Sequence, residues 1–315
     1  MALSFREALG SCLAAIPPGR VTTCGLVART LGDVRAARSV ATWILEHPDI
    51  PGAHRVVRAD GRPVAPSAAG GLAREGVRLR GGRVAESRFL ESLSGAAVLE
   101  DLRETQRRLA QRVEEVDDGK ELGTFGGVDV AYAGDRAFAV AVRLDARTLE
   151  TIETCERAVD VDFPYIPTYL AFREYPAVRA ALEGLRERPD LLFVDGHGRL
   201  HPALFGFACY AGVQLDLPTV GIAKHPLAGK LVPSAPRMLG AIPVEMDGVV
   251  RGFAWTPPRA SRPFYVSVGH RISLERALRE AQRSTRTRYP EPLLVADRIT
   301  KEERDKKNTE RSASG

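Results

Sequence analysis

The alternation of apolar and polar residues divides the chain into two stretches of different character. In the first, Phe5 to Ala15 carries apolar residues at helical spacing and stops at Ile16-Pro17-Pro18-Gly19. Thr22-Thr23 then caps a helix to about Leu31, closed by Gly32. Asp33 caps a further helix from Val34 to about Glu46, ended by His47-Pro48. Residues 60–95 are rich in Pro and Gly and show little period, and an amphipathic helix starts near Ala97 with Leu99, Leu102, Leu109, Val113 and Val116.

Beyond it the period changes to that of alternating strands and helices. Strands are predicted around Asp129, over 137–144 and over about 149–161. A helix follows over about 168–187, a strand at 191–195, a helix over about 205–215 and a strand at 219–223. Further strands are predicted at 252–255 and 265–268, and Ser273 caps a helix toward Thr285. Three antiparallel strands feeding alternating helices and parallel strands give a mixed sheet covered on both faces, the order of a ribonuclease H-like fold. The tail from Lys301 to Gly315, charged and then Ser-rich, is predicted to be disordered.

Two acids interrupt apolar strands. Leu191-Leu192-Phe193-Val194 ends on Asp195 and turns through Gly196 and Gly198, which places a carboxylate at a strand exit, where open α/β sheets carry chemistry. A turn-forming or capping aspartate reads the same way. Asp129 lies inside Gly127-Val128-Asp129-Val130-Ala131-Tyr132, where an unpaired carboxylate costs several kcal/mol. Either an arginine pairs with it, or it shares a hard divalent cation with Asp195; oxygen-only ligands suit magnesium or manganese.

With 315 residues, 44% hydrophobic and 27% charged, the composition is that of a soluble protein of two domains. No apolar run of membrane-spanning length and no signal peptide occur. The four cysteines show neither zinc nor disulfide spacing, so a cytoplasmic protein without membrane partners is expected. Charge is uneven: residues 1–95 hold thirteen arginines and no lysine against eight acids, so the whole net excess of +5 lies there. Such a balance suits contact with phosphates, and equally a solvated basic surface. The paired helices with a Gly-containing turn read as a helix-turn-helix presenting Arg35 and Arg38, or as a plain helical hairpin.

Specific motifs add two resemblances. Ile16-Pro17-Pro18-Gly19-Arg20-Val21-Thr22-Thr23, Ala36-Ala37-Arg38-Ser39-Val40 and His54-Arg55-Val56-Val57 resemble the DNA-binding domain of the O6-alkylguanine-DNA alkyltransferases and their alkyltransferase-like relatives. The resemblance implies a small winged helix-turn-helix domain over residues 1–90, with a linker at 91–97, in which Arg38 fills the gap left by a flipped base. Where that family has a nucleophilic cysteine in Pro-Cys-His-Arg, this chain has Ala53, which offers no thiolate. His54 and Glu75 match the activating pair and survive as hydrogen-bond partners, and Cys24 stands at a usual tyrosine. The module is therefore expected to bind DNA or an alkylated guanine without transfer.

Residues 98–300 resemble endonuclease V through Gly127-Val128-Asp129-Val130-Ala131-Tyr132, Phe163-Pro164-Tyr165-Ile166-Pro167, Phe172-Arg173-Glu174, Val194-Asp195-Gly196-His197-Gly198, His201-Pro202 and Gly221-Ile222-Ala223-Lys224. The resemblance implies magnesium-dependent hydrolysis, with manganese as a substitute, of the second phosphodiester bond 3′ to deoxyinosine, leaving a 5′-phosphate. It implies Asp129, Asp195 and Glu174 as metal ligands, Asp297 completing the acidic set, and Lys224 and His201 stabilising phosphate charge. Arg173 would hold the backbone. Pro164, Tyr165, Ile166 and Pro167 would form a stiff loop wedged between bases. An inosine-specific endoribonuclease shares every one of these residues, and a non-enzymatic damage sensor is the further alternative.

Overall fold

The computed structural model describes residues 4–313, with side chains through Asp305. The chain divides into two compact units: Met1–Thr105 with Asp162–Pro167, and Gln106–Val161 with Thr168–Gly315. The first unit thus runs past the boundary expected at residues 91–97 and takes in the Pro-Tyr-Ile-Pro loop.

In the first unit, α1 (Phe5–Ala14) starts in a capping box: Ser4 Oγ accepts from the Glu7 amide and Glu7 accepts from the Ser4 amide. Its buried residues Phe5, Ala8, Leu9, Cys12 and Leu13 repeat at helical spacing. Thr22–Thr23 (β1) pairs in parallel with Val56–Val57 (β2), and Thr23 caps α2 (Cys24–Thr30) by accepting from the Leu26 amide. Gly32 ends this stretch at φ +101°, in the left-handed region, where a Cβ would strike the Glu100 backbone at 2.7 Å.

The single helix expected over Val34–Glu46 is two elements, a 3-10 turn at Val34–Ala36 and then α3 (Ala37–Glu46). Asp33 causes the break. Its carboxylate accepts from the Arg35 amide and side chain and also pairs with Arg103, which tightens the first turn. α4 (Ala68–Arg74) and the hairpin of Leu79–Arg80 (β3) and Arg83–Val84 (β4) complete a small core of Val21, Val57, Leu72, Val77 and Val84. α5 (Val98–Ala110) follows.

The second unit is built on a sheet of nine strands. Thr124–Ala133 (β5), Arg136–Asp145 (β6) and Thr151–Asp160 (β7) form an antiparallel meander. α6 (Leu170–Glu183), Leu191–Asp195 (β8), α7 (Phe207–Leu215) and Thr219–Ala223 (β9) come next, and β8 lies in parallel between β5 and β9. Lys230–Leu231 (β10), Ile242–Met246 (β11), Val249–Trp255 (β12) and Phe264–His270 (β13) extend it to the order β10-β11-β12-β13-β9-β8-β5-β6-β7. β10 and β11 were not predicted: one is two residues long and the other carries Pro243, which a pattern search discounts.

Alternation along the strands separates two cores. Val128, Leu192 and Val194 pack with Ala177, Val178 and Ala181 of α6 and with Ala208 and Ala211 of α7. Phe125, Leu191 and Phe193 point the other way, to Ala277, Leu278 and Ala281 of α8 (Leu274–Arg283) and to Leu293 of α9 (Glu291–Ala313). The absent side chain of Gly127 is what admits α9: a Cβ there would collide with the Pro292 carbonyl.

The disorder expected from Lys301 is corrected. α9 continues through Ala313, because Ala296 and Thr300 are buried against the sheet and Lys301 pairs with Asp297 one turn back at 2.7 Å, so the charged stretch prolongs an anchored helix. Residues 314–315 of that predicted tail lie outside the described residues. Among the described residues, no helix is long and apolar enough to cross a membrane.

Candidate active site

Register brings the two strand acids together. Val128 faces Val194 in the parallel β5–β8 pair, so the next residues along are Asp129 and Asp195 at the sheet's carboxyl end. By the period of two, both share the face of Phe125 and Phe193, toward α9. Glu174 reaches the same strand ends from α6. Asp129, Glu174 and Asp195 line one cavity of about 160 Å³, floored by Val128, Leu170 and Phe207.

Burial raises the Asp129 carboxyl above its ordinary range, and Asp195 and Asp297 push it in the same direction, while a hydrogen bond from Thr300 opposes them. Burial also pushes Glu174 up to about 8, helped by Asp129 and Asp195 and only partly offset by the Tyr132 hydroxyl, 3.3 Å from Glu174 Oε1. Arg173 lies over the Tyr132 ring, 4.1 Å from its centroid, and its charge also lowers the Glu174 carboxyl.

Asp195 is held from two sides, by Lys224 Nζ at 3.0 Å and by the Tyr289 hydroxyl at 3.1 Å. Burial would lower the Lys224 ammonium, but Asp195, with Asp297 and Asp129 beyond, raises it overall. Asp297 projects from α9 and pairs with Lys301.

The donor set fits a hard divalent cation: three carboxylates, two of them driven toward the neutral form by one another and by burial, with no thiolate or imidazole on the cavity wall. Among the described residues no three acidic, histidine or cysteine side chains close to a finished cage. Lys224 and Lys301 hold two of the four acids.

Other residues singled out from the sequence are placed differently. His201 is buried in a turn, where its Nδ1 faces the Ala203 amide at 3.1 Å, and it does not line the acidic cavity. Of the Pro-Tyr-Ile-Pro loop, Tyr165 is 61% exposed and Ile166 only 1%, and within the first unit Ser39 Oγ donates to the Tyr165 carbonyl at 2.6 Å. Pro164 is buried and Pro167 exposed. Arg38 is exposed at the start of α3, while Arg35 is held by Asp33. Ala53 is buried beside a complete network: Glu75 takes His54 Nε2 at 2.9 Å, Arg55 at 2.6 Å and the Gly19 amide at 2.9 Å. Cys12 and Cys24 are buried, and burial pushes the Cys24 thiol up to about 11, as expected of packing residues.

Sequence reasoning missed Tyr132, Tyr289 and Thr300. Tyr132 follows Asp129 in the same strand, three residues on, and was available as a signal; Tyr289 meets Asp195 across ninety-four residues and nothing local marks it.

Comparison with known proteins places the sequence and the fold. Residues 107–298 match the family model for endonuclease V, and residues 4–82 match that for the DNA-binding domain of 6-O-methylguanine DNA methyltransferase. The curated endonuclease V of Roseiflexus castenholzii is 41% identical over 208 residues, which cover 65% of this chain and 93% of that protein. The crystal structure of endonuclease V from Streptomyces avermitilis superposes with a TM-score of 0.61 at 38% identity, covering 66% of this chain and 94% of that one. Endonuclease V of Ciona intestinalis, solved with a 24mer DNA containing an inosine followed by a ribo-adenosine, shares the fold at 24% identity, with a TM-score of 0.60 and coverage of 66% and 98%.

Proposed function

This chain belongs to the endonuclease V family of metal-dependent nucleases, preceded by an alkyltransferase-type DNA-binding domain, and from that premise we propose that it cleaves DNA 3′ to deoxyinosine with magnesium. The observation that carries the reading is the convergence of Asp129, Asp195 and Glu174 on one cavity. Asp129 and Asp195 would hold the cation with Glu174, and manganese would serve in its place. When bound, the cation supplies a water of lowered pKa and neutralises charge on the scissile phosphate.

The protein's own groups do the rest. The Lys224 ammonium, kept charged and aimed by Asp195, faces the charge that develops on the phosphate oxygens. Tyr289 fixes the other oxygen of Asp195, so that carboxylate is preoriented from both sides. Glu174 holds a proton near neutral pH and releases it once a cation competes for its oxygens. Asp297 completes the acidic set from α9. Tyr165, the exposed member of its loop, stacks against the bases beside the lesion, with Pro164 and Pro167 stiffening the loop and Ile166 anchoring it. Arg173 steadies Tyr132 and through it Glu174. His201 shapes the turn after β8.

The N-terminal module binds DNA, and alkylated guanine where present, through Arg38 and its neighbours. Ala53 accepts no alkyl group, and His54 and Glu75 remain as a structural pair. The four cysteines, all free and buried, suit a reducing compartment such as the cytoplasm.

Incubation with an inosine-containing DNA strand and its RNA counterpart, with and without magnesium, tests the reading. Cleavage of the DNA strand only with the metal, leaving a 5′-phosphate, is expected. An intact DNA strand under both conditions rejects it, and preferential cleavage of the RNA strand moves the assignment to a ribonuclease.

A further inference from the structure

A second, larger cleft of about 550 Å³ opens from the acidic site: Asp195, Lys224, Tyr289 and Asp297 line one end of it. Three arginines, Arg259, Arg262 and Arg288, also line it, beside His225, Ser261 and Lys301. All three are exposed, and among the described residues none of them pairs with a carboxylate. This separates them from Lys224 and Lys301, whose charges are already committed to Asp195 and Asp297. Uncompensated guanidinium groups gathered on one wall repel each other, and a ligand of multiple negative charges removes that cost.

The supporting frame is stiff. Arg259 and Arg262 sit on the connection between β12 and β13, in Thr256-Pro257-Pro258-Arg259-Ala260-Ser261-Arg262-Pro263. Three prolines restrict it, Pro257 is buried, and the Ala260 amide donates to the Pro257 carbonyl at 2.9 Å to close a turn. Arg288 immediately precedes Tyr289, whose hydroxyl is fixed on Asp195. Phe264, Leu293 and Leu294 add apolar surface to the same cleft. Cations and apolar surface in one cleft suit a chain of phosphates joined by sugars and bases; a free phosphate has no use for the apolar part.

We propose that this cleft binds the nucleic-acid strand where it continues from the scissile phosphate, with Arg259, Arg262 and Arg288 each taking a backbone phosphate. The proposal rests on the nuclease reading of the adjoining acids and assigns them the strand that they cut. A strand so held fixes the scissile bond against Asp195 and Lys224, which places the three arginines as positioning residues.

The test is a chemical double-mutant cycle on the full chain, read by fluorescence anisotropy without divalent metal. The probe is a single-stranded inosine oligonucleotide in which one phosphate at a time is replaced by a neutral methylphosphonate. The proteins are the wild type, the Arg259→Ala/Arg262→Ala variant and Arg237→Ala, an exposed arginine outside the cleft. Wild type and R237A should lose affinity at a short run of consecutive positions on one side of the inosine, and the double variant should lose nothing further at two of these positions while keeping the loss at the one held by Arg288. The slope of log affinity against log salt should also fall by about 1.4 in the double variant, about 0.7 for each single-strand phosphate contact removed. Equal losses in all three proteins at every position, or an unchanged salt slope, overturn the proposal. Because affinity is read without catalysis, a wild type that never cleaves inosine strands defeats the nuclease reading alone, while a cleaving wild type without coupling defeats the cleft alone.

Discussion

Glu75 in the first unit and Glu174 in the second are both acids set among titratable neighbours, and they end at opposite extremes. Glu75 is held down at about 2, first by the Arg55 hydrogen bond, which outweighs the cost of burial, and further by the Gly19 amide and His54. Glu174 is pushed up to about 8, because burial is joined by two like charges. Every oxygen of Glu75 has a donor, so ionisation stabilises the fold. Glu174 has one long hydrogen bond, so its ionised form needs a cation from elsewhere. The contrast teaches how a satisfied acid differs from an unsatisfied one: beside Ala53 the Glu75 carboxylate is a structural clamp, whereas the strand acids keep an unmet electrostatic demand.

The largest effect should come from removing part of that demand. Asp129→Ala should lower the rate of inosine-strand cleavage by at least about 10²-fold, the scale lost with one preorganised charge stabiliser. Single-turnover kinetics at saturating magnesium measure it, and near-normal activity would break the assignment of the acidic site. Breaking the opposite member, Glu75→Ala should cost about 2–4 kcal/mol of stability, since it leaves Arg55, His54 and the Gly19 amide without their shared acceptor. Urea denaturation followed by circular dichroism reads this out, and cleavage by the folded fraction should be unaltered.

The pH dependence sharpens the comparison, with opposite signs at the two residues. Glu75, depressed, contributes stability that is complete above its ordinary 4.5 and is lost as pH falls through about 2. Glu174, raised, binds a proton in the folded state that the unfolded chain has released, so metal-free stability falls as pH rises from 4.5 through about 8. Glu174→Gln should therefore raise the metal-free Tm at pH 8 by roughly 2–4 °C, the shift that accompanies about 1 kcal/mol in a unit of this size. Magnesium should stabilise the wild type more at pH 8 than at pH 6, and Glu174 should account for much of the difference. Thermal melts at the two pH values, with and without magnesium, check all three signs; a variant that melts like the wild type at pH 8 contradicts the strained reading of Glu174.

The smallest effect belongs to the surface of the first unit. Arg38→Ala should change stability by no more than about 0.5 kcal/mol, while lowering the salt slope of duplex DNA binding by about 0.9. An unchanged slope would remove Arg38 from the interface.

Much of this was legible from residue order. The central strands at 191–195 and 219–223 have the predicted bounds, because continuous apolar runs bounded by Pro, Asp and Gly leave little freedom. The caps Thr23 and Ser273 act as predicted, each accepting from an amide three residues on. Helix continuity was less legible: Asp33 splits the predicted Val34–Glu46 helix through its bonds to Arg35 and Arg103, and the Arg103 contact lies seventy residues away. α9 was not predicted, and disorder was expected from Lys301, because its charged sequence has little apolar period, while its order comes from Ala296 and Thr300 packed on a sheet formed far upstream.

Residue order alone determined that two carboxylates would end or interrupt apolar strands, and that the N-terminal module would lack a nucleophile, since the identity of a side chain needs no fold. Only tertiary structure decided which acids meet. Parallel register set Asp129 beside Asp195, α6 carried Glu174 to them, and Tyr289 came to Asp195 on the turn before α9. It also decided that His201 would serve a turn and that Ile166 would be buried. The physical reason is range: caps, breakers and periodicity act over a few residues, whereas desolvation and charge coupling depend on neighbours that only the folded sheet assembles.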